Sequence, residues 1–338
     1  MIKKILLFLF SLFLGIGLFI WIINFVGWQE IKNAFLVFTG WQGGVIFILT
    51  LLMMIIGNWK WKEILKGEGT EVSFWKLFKP YLAGFGIMFL APILLGLGEI
   101  FRSYEIRRKT HISWPKATAS VIIDRILEWT VNLIIIFIGV LIFLYKIGLP
   151  PKNLIIVFGG VFLLFVIGIF IFYFKTFKRE SIAKTFGRIF NGKLDKEPFD
   201  TEKEIFNFFK FQNKSMWTSF TFSFLRVGVM YLRTWFLINF LGKEISALST
   251  LSILGFTYLA AIIPIPTSLG SHEAIQTFAF KSLGLGISSA TAFTMIIRAA
   301  ELLFALAGVI ILLRLGVIFL KSLLFKSIEK LTNVKNNL

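Results

Sequence analysis

The sequence predicts an all-α integral membrane protein of about six full transmembrane helices plus two re-entrant hairpins that form an inverted-topology repeat. Three observations predict it. Of 338 residues, 57% are hydrophobic and only 16% are charged, whereas soluble domains carry about a quarter charged residues. The charge is gathered into short blocks between apolar runs of about 20 residues, the length that spans a bilayer as helix. One pattern, P-x-x-L-G-x-x-E, occurs twice, at Pro92, Leu95, Gly96 and Glu99 and again at Pro266, Leu269, Gly270 and Glu273. A water-soluble enzyme is thereby excluded. The 41 Phe, ten Trp and six Tyr suit helices facing lipid, with Trp near the interfaces. Zero Cys excludes disulfides, thiolate metal sites and cysteine nucleophiles together. With two His besides, no metal or other cofactor is expected.

Lys3 and Lys4 precede an apolar run over residues 5–26. A signal-peptide core spans about 7–15 residues, but this run rises about 33 Å at about 1.5 Å per residue, so a retained first helix is expected. Further crossings are expected at about residues 41–59, 116–145, 154–174, 216–241 and 287–313. Two apolar stretches do not fit that pattern. Residues 82–98 are broken by Pro92, Gly96 and Gly98 and run into Glu99 and Arg102, and residues 251–269 are broken by Pro264, Pro266 and Gly270 before Glu273. Interrupted segments of this kind mark re-entrant hairpins or discontinuous helices, whose freed backbone groups need protein or water around them.

With both hairpins returning to their side of entry and the N-terminus cytoplasmic, the inside segments are the N-terminus and residues 58–116, 175–214 and 314–338. They hold 27 of the 36 Lys and Arg, the outside loops hold five, and Arg125, Arg226, Arg233 and Arg298 lie within helices. This distribution obeys the positive-inside rule and places both termini of a multi-pass cell-membrane protein in the cytoplasm. The net charge of +18 therefore reads as topology and attraction to anionic lipid. A nucleic-acid binder would gather those residues on one solvated face, and no nucleic acid is expected.

The cytoplasmic loop 175–214 is amphipathic, with Phe177, Ile182, Phe186 and Phe190 among basic residues and a Thr201/Glu204 capping box before Ile205. The basic tail 314–338 carries one apolar stripe of Leu320, Leu324, Ile328 and Leu331. Both read as helices lying on the membrane face.

Within this single membrane domain, covering 1–338, repeat half one covers about 76–145 and half two about 247–313. Ala117-Thr118-Ala119 begins eight positions before Arg125, and Ala290-Thr291-Ala292 eight positions before Arg298. Each Arg has a Glu at i+3, Glu128 and Glu301, so each pair shares a helix face. The two helices run in opposite directions in this topology, which makes the repeat inverted, a design in which a binding site lies between the halves near the midplane. Arg125 and Arg298 lie about 14 and 17 Å into their helices. A charge at that depth costs about 2.5–3.5 kcal/mol, so these two, with Asp124, Glu128, Glu301, Glu99 and Glu273, must pair or line a wet cavity. Arg226 and Arg233, seven apart, face the same cavity, and Arg102 joins the first break. The intrahelical pairs would also serve simply to pin the hairpins; their symmetry favours a substrate path. Four helix Arg against five carboxylates give minus one, so an anionic headgroup is not required. His272 reads as a hydrogen-bonded hairpin residue rather than a proton relay.

At these motifs the sequence resembles the transmembrane family of lysylphosphatidylglycerol synthases, the flippase-type membrane domain of MprF-like proteins. Gly98, Glu99, Arg102, Tyr104, Asp124 and Arg125 carry the resemblance in the first half, and Pro264, Pro266, Leu269, Gly270, Glu273 and Arg298 in the second. It extends over nearly the whole chain and implies translocation of phospholipid or lipid-linked headgroups between leaflets. Thr267 and Ser268 stand where the family commonly has paired Gly. No soluble aminoacyl-transfer domain precedes Leu338, so a stand-alone member without lysyl transfer is expected.

The expected function is a translocator rather than an enzyme, with membrane lipids as partners and a lipid-modifying synthase or a second copy of the chain as protein partners. Arg guanidinium suits a phosphate through bidentate bonds, and the absence of a G-x-x-x-x-G-K-[ST] loop speaks against direct drive by ATP. The alternatives are an intramembrane lipid-modifying transferase, for which no H-E-x-x-H or paired metal ligands appear, and a non-catalytic partner of a lipid synthase.

Overall fold

The computed structural model describes residues 40–90, 96–148, 152–181, 196–262 and 271–335, and these residues form ten helices and no strand. In chain order they are α1 Trp41–Gly67, α2 Phe74–Leu90, α3 Leu97–Thr110, α4 Trp114–Ile147, α5 Lys152–Lys178, α6 Lys196–Phe208, α7 Lys214–Phe240, α8 Ala247–Ile262, α9 Ser271–Ser282 and α10 Ile287–Lys335. Three of them, α1, α4 and the 287–314 part of α10, are long and apolar enough to cross a membrane. The expected first helix at 5–26, the motif prolines and Leu95, Leu269 and Gly270 lie outside the described residues.

The helices that follow the two breaks begin alike. After each, a short helix starts with a carboxylate in its first turn, Glu99 in α3 and Glu273 in α9, where the positive end of the helix dipole favours negative charge. α3 then runs back along α2, with the Lys109 Nζ donating to the Lys76 carbonyl at 3.0 Å. α9 likewise returns along α8, the Gln276 amide donating to Thr257 Oγ1 at 2.8 Å.

Each first segment packs on the long closing helix of the other half, α2 on α10 and α8 on α4. Both crossings are antiparallel and close on glycine. A methyl group on Gly86 would lie 2.7 Å from the Ala305 carbonyl oxygen, and one on Gly139 would lie 2.9 Å from that of Leu251. Gly308 and Gly255 face them from the partner helices. Inside a bilayer, water does not drive helices together, so close backbone approach at small residues is what makes such crossings favourable. The α4/α8 crossing is tied further by Ser252 Oγ donating to the Gly139 carbonyl at 3.0 Å and by Lys146 Nζ donating to Ser249 Oγ at 2.8 Å.

Helices α1 and α7, which belong to neither half, pack on each other between the crossed pairs and touch both α4 and α10. Outside them, α5 keeps Leu163, Leu164 and Phe170 exposed, and α4 presents Ile134, Phe137 and Leu141 on its outer face, as suits helices bounded by lipid.

Three boundaries differ from the sequence reading. α1 continues as helix to Gly67 instead of ending near residue 59, because the residues after Trp59 find buried partners instead of water. α6 begins at Lys196, so Thr201 and Glu204 lie inside the helix and form no capping box; Pro198 sits in its first turn, where a missing N–H costs nothing. The tail is no separate segment: α10 is one helix of 49 residues, about 73 Å long against a hydrocarbon core of about 30 Å.

Candidate functional site

The polar side chains of both halves meet around one cavity of about 290 Å³ between α1, α2, α4, α7, α8, α9 and α10. The halves contribute equivalent ion pairs. In the first, Arg125 Nε meets Glu99 Oε1 at 2.8 Å, and in the second, Arg298 Nη1 meets Glu273 Oε1 at 2.7 Å. Each pair joins the helix after the break to the long helix that follows. The G-x-x-E spacing puts the carboxylate in the first turn, and the long helix brings the guanidinium alongside.

The second carboxylate of each half is held by α7. Arg226 pairs with Glu128, and Arg233 Nη2 pairs with Glu301 Oε1 at 2.9 Å while its Nη1 donates to Thr50 Oγ1 at 3.2 Å. Glu128 also receives Arg125 Nη1 at 3.0 Å along its own helix, as the i+3 spacing requires. Seven residues is close to two helical turns, so Arg226 and Arg233 lie on one face of α7 and reach opposite halves.

Asp124 and Arg102 do not line the cavity. Their side chains are each 1% exposed and pair at 2.8 Å, with the Arg102 guanidinium 4.2 Å above the Trp61 ring and 4.9 Å from the Tyr81 ring, a desolvated cation–π geometry. Lys60 closes this cluster. Its Nζ lies 2.8 Å from Asp124 Oδ1, 3.1 Å from the Asp124 carbonyl and 3.7 Å from Glu128 Oε2.

Lys60 was legible only as one of the ten cations of segment 58–116, read as cytoplasmic, because it follows an apolar run and is flanked by Trp59 and Trp61. The signal that finds it is length: α1 has 27 residues, about 40 Å, more than a crossing needs. Including Lys60 and Arg102 changes the charge count. Six cations (Lys60, Arg102, Arg125, Arg226, Arg233, Arg298) stand with five carboxylates (Glu99, Asp124, Glu128, Glu273, Glu301), so the cluster carries +1 rather than minus one.

All ten residues singled out in the sequence thus fall in one connected region. Arg125, Glu128, Arg226, Arg233, Arg298 and Glu301 line the cavity, Glu99 and Glu273 anchor two of those arginines, and Asp124 and Arg102 brace the wall of the first half. Sequence reasoning missed Gln276, Thr257 and Tyr258, which also line it and carry no charge to mark them. His272 lines it too. Among the described residues no group of three or more His, Asp or Glu is arranged to hold a metal.

The model of the lysylphosphatidylglycerol synthase TM region matches residues 8–308 of this chain. A UPF0104 membrane protein of Methanocaldococcus jannaschii is 26% identical over 266 residues, covering 75% of this chain and 78% of the relative. A UPF0104 membrane protein of Pyrococcus horikoshii is 27% identical over 281 residues, covering 76% and 83%. No solved structure matches the chain. The multi-pass helical architecture and the match over residues 8–308 together identify this chain as a member of the lysylphosphatidylglycerol synthase transmembrane family.

Proposed function

We propose that this protein is a flippase-like membrane translocator that moves a phospholipid or lipid-linked headgroup between leaflets through the cavity between the two halves. One observation carries this reading: equivalent Glu–Arg pairs from two sequence-related halves converge on a single cavity, and one helix outside both halves, α7, holds the second carboxylate of each. A pin for two separate hairpins needs no shared cavity and no shared helix.

In this reading the halves are inverted repeats, α2–α3 and α8–α9 are re-entrant hairpins entering from opposite faces, and both termini are cytoplasmic. The antiparallel crossings of α2 on α10 and α8 on α4 support that arrangement, and the glycine contacts there give the halves smooth surfaces to rock on. The headgroup passes among side chains that exchange partners, while its tails stay in lipid. Arg125 and Arg298 bind the anionic part, Glu99 and Glu273 hold those guanidinium groups in place when the cavity is empty, and Arg226 and Arg233 follow the carboxylates of whichever half moves. Protein charges thereby replace the water that a headgroup loses at the midplane, where a bare charge costs about 2.5–3.5 kcal/mol or more.

The test is reconstitution into liposomes with tail-labelled lipids, reading the label that becomes accessible to an impermeant quencher. Wild-type protein moves label between leaflets, and Arg125→Ala and Arg298→Ala each stop it while eluting as folded protein. Full transport by both variants reduces the pairs to structural pins, and product formation from a lipid donor makes the protein a transferase.

A further inference from the structure

The matching arginines of the two halves differ in what they leave behind when they move. In the second half Arg298 pairs with Glu273 and Glu301 with Arg233, so the Arg298 guanidinium can turn without stripping Glu301. In the first half one guanidinium serves both carboxylates: Arg125 Nε meets Glu99 Oε1 at 2.8 Å, and its Nη1 donates to Glu128 Oε2 at 3.0 Å. Its Nη2 rests on the Met88 sulfur, a weak acceptor that a ligand oxygen displaces. Arg226 covers only the other oxygen of Glu128, Oε1. Turning Arg125 to a ligand therefore strips Glu128 Oε2, and a carboxylate oxygen left bare away from bulk water is far more costly than the pair is stabilising. Glu99 needs less help, since it sits in the first turn of α3, where the helix dipole supports a carboxylate.

One other cation is within reach of that oxygen. Lys60 comes from α1, outside both halves, and its Nζ lies 3.7 Å from Glu128 Oε2 with the side chain only 1% exposed. Among the described residues it donates one hydrogen bond, to the Asp124 carbonyl at 3.1 Å. Its 2.8 Å contact with Asp124 Oδ1 is held by charge alone, because that oxygen accepts no hydrogen bond. An ammonium has three donors, so this one is not fully committed. A shift of about 1 Å brings Nζ to the roughly 2.8 Å of a charge-assisted bond with Glu128 Oε2, while Arg102 keeps the second Asp124 oxygen.

We infer that Lys60 is a positioning residue that takes over Glu128 Oε2 when Arg125 leaves it for a ligand in the cavity. After the handover the ligand holds the guanidinium, Glu128 holds the ammonium and Arg226, and Asp124 keeps Arg102. No carboxylate is left without a cation. A compact ammonium on a flexible stem suits this exchange, whereas a planar guanidinium fixed in a fork does not. Among the described residues no lysine stands beside Glu301, and none is needed there, because Arg233 and not Arg298 holds that carboxylate. The two halves thus release their arginines by different routes although their motifs match. That a ligand draws Arg125 away rests on the translocator reading; the handover of Glu128 does not.

Unfolding midpoints in detergent test the handover with no ligand present, because Arg125→Ala imitates the departure of the guanidinium. Arg125→Ala combined with Lys60→Met lowers the midpoint by more than the two single shifts together, since residues that stand in for one another are not additive. Glu128→Gln added to that double variant recovers part of the loss, there being no charge left to cover. Arg298→Ala combined with Lys60→Met is additive. If Lys60→Met does not fold, Lys60→Gln, which keeps a donor for the Asp124 carbonyl, takes its place in the cycle. Additive shifts for Arg125 and Lys60 overturn the inference, as does an excess loss that Glu128→Gln leaves untouched, the mark of a purely structural role through Asp124. In vesicles of phosphatidylethanolamine and phosphatidylglycerol carrying tail-labelled phosphatidylglycerol, Lys60→Met slows label movement by at least about tenfold, the worth of one charge-assisted hydrogen bond; an unchanged rate overturns the inference too. A non-additive cycle in a protein that moves no label removes the translocator reading and keeps the handover, whereas label movement with an additive cycle removes the handover alone.

Discussion

Arg226 of α7 pairs with Glu128 of the first repeat half, and two turns along the same helix Arg233 pairs with Glu301, the matching position of the second. A helix that belongs to neither half is therefore the charge partner of both. This is the relationship expected of an element around which two halves exchange positions, and it makes the pairs separable by mutation.

Arg226→Gln and Glu128→Gln are expected to be non-additive. Within membranes, interhelical polar contacts are worth about 0.5–2 kcal/mol, so a double-mutant cycle on thermal unfolding in detergent should return coupling in that range for Arg226–Glu128 and again for Arg233–Glu301. The cross pair Arg226–Glu301 should show coupling near zero, since sites without shared partners add. Strong cross coupling would mean that the two halves are not held independently.

Asp124 behaves differently from the cavity carboxylates. It is fully buried between Lys60 and Arg102, so Asp124→Ala leaves two cations uncompensated and is expected to cost about 3–5 kcal/mol of stability. Glu273→Gln, in a part-exposed pair, should cost less than half as much while affecting transport more. Denaturation curves beside flux measurements check the contrast.

The glycine crossings predict a steric penalty. Gly139→Leu drives a side chain into the α8 backbone, whose Leu251 oxygen and Gly255 already bound the space, and overpacking of this kind costs about 1–3 kcal/mol or more. Gly228→Leu, where nothing lies within reach of an added methyl, should be tolerated. Unfolding midpoints of the two variants decide it.

At the end of α1, outside the membrane span, burial pushes the Glu68 carboxyl well above its ordinary value of 4.5, with Glu204 reinforcing the shift and Lys116 opposing it. Neither carboxylate oxygen has a hydrogen-bond partner among the described residues. A raised folded-state value means that the folded protein holds this proton more tightly than the unfolded chain. The stability it contributes is present below about pH 4.5 and is lost as pH rises through the raised value. Glu68→Gln should therefore match the wild type in acid and exceed it in unfolding midpoint at higher pH. An equal pH slope for the two proteins would contradict the burial.

The charges that line the cavity were legible because chemistry that is costly in lipid stands out against apolar sequence: Arg125, Glu128, Arg298 and Glu301 announce themselves by charge and spacing. The partners across helices were less so. Spacing showed that Glu128 could meet Arg125 on one face, but only the packing of α7 against α4 and α10 gives Glu128 to Arg226 and Glu301 to Arg233. Lys60 was hidden by its position after an apolar run, where a cytoplasmic Lys looks the same as a buried one. Gln276 and Thr257 were invisible for a simpler reason, since a neutral polar residue in a helix carries no cost large enough to mark it. The end of α1 at Gly67 was misplaced for the same reason as Lys60: hydropathy falls where ion pairing, not lipid, takes over the stabilisation of the helix.

The most direct measurement is two-sided labelling of a single cysteine in the cavity. The chain has no cysteine of its own, so Ser223→Cys, at a position lining the cavity, is uniquely reactive. With the protein reconstituted in a known orientation, a charged, impermeant thiol reagent should modify it when added from either face, and lipid bearing the transported headgroup should slow both reactions. Modification from one face alone, or from neither, would contradict a cavity that opens in turn to the two sides of the membrane.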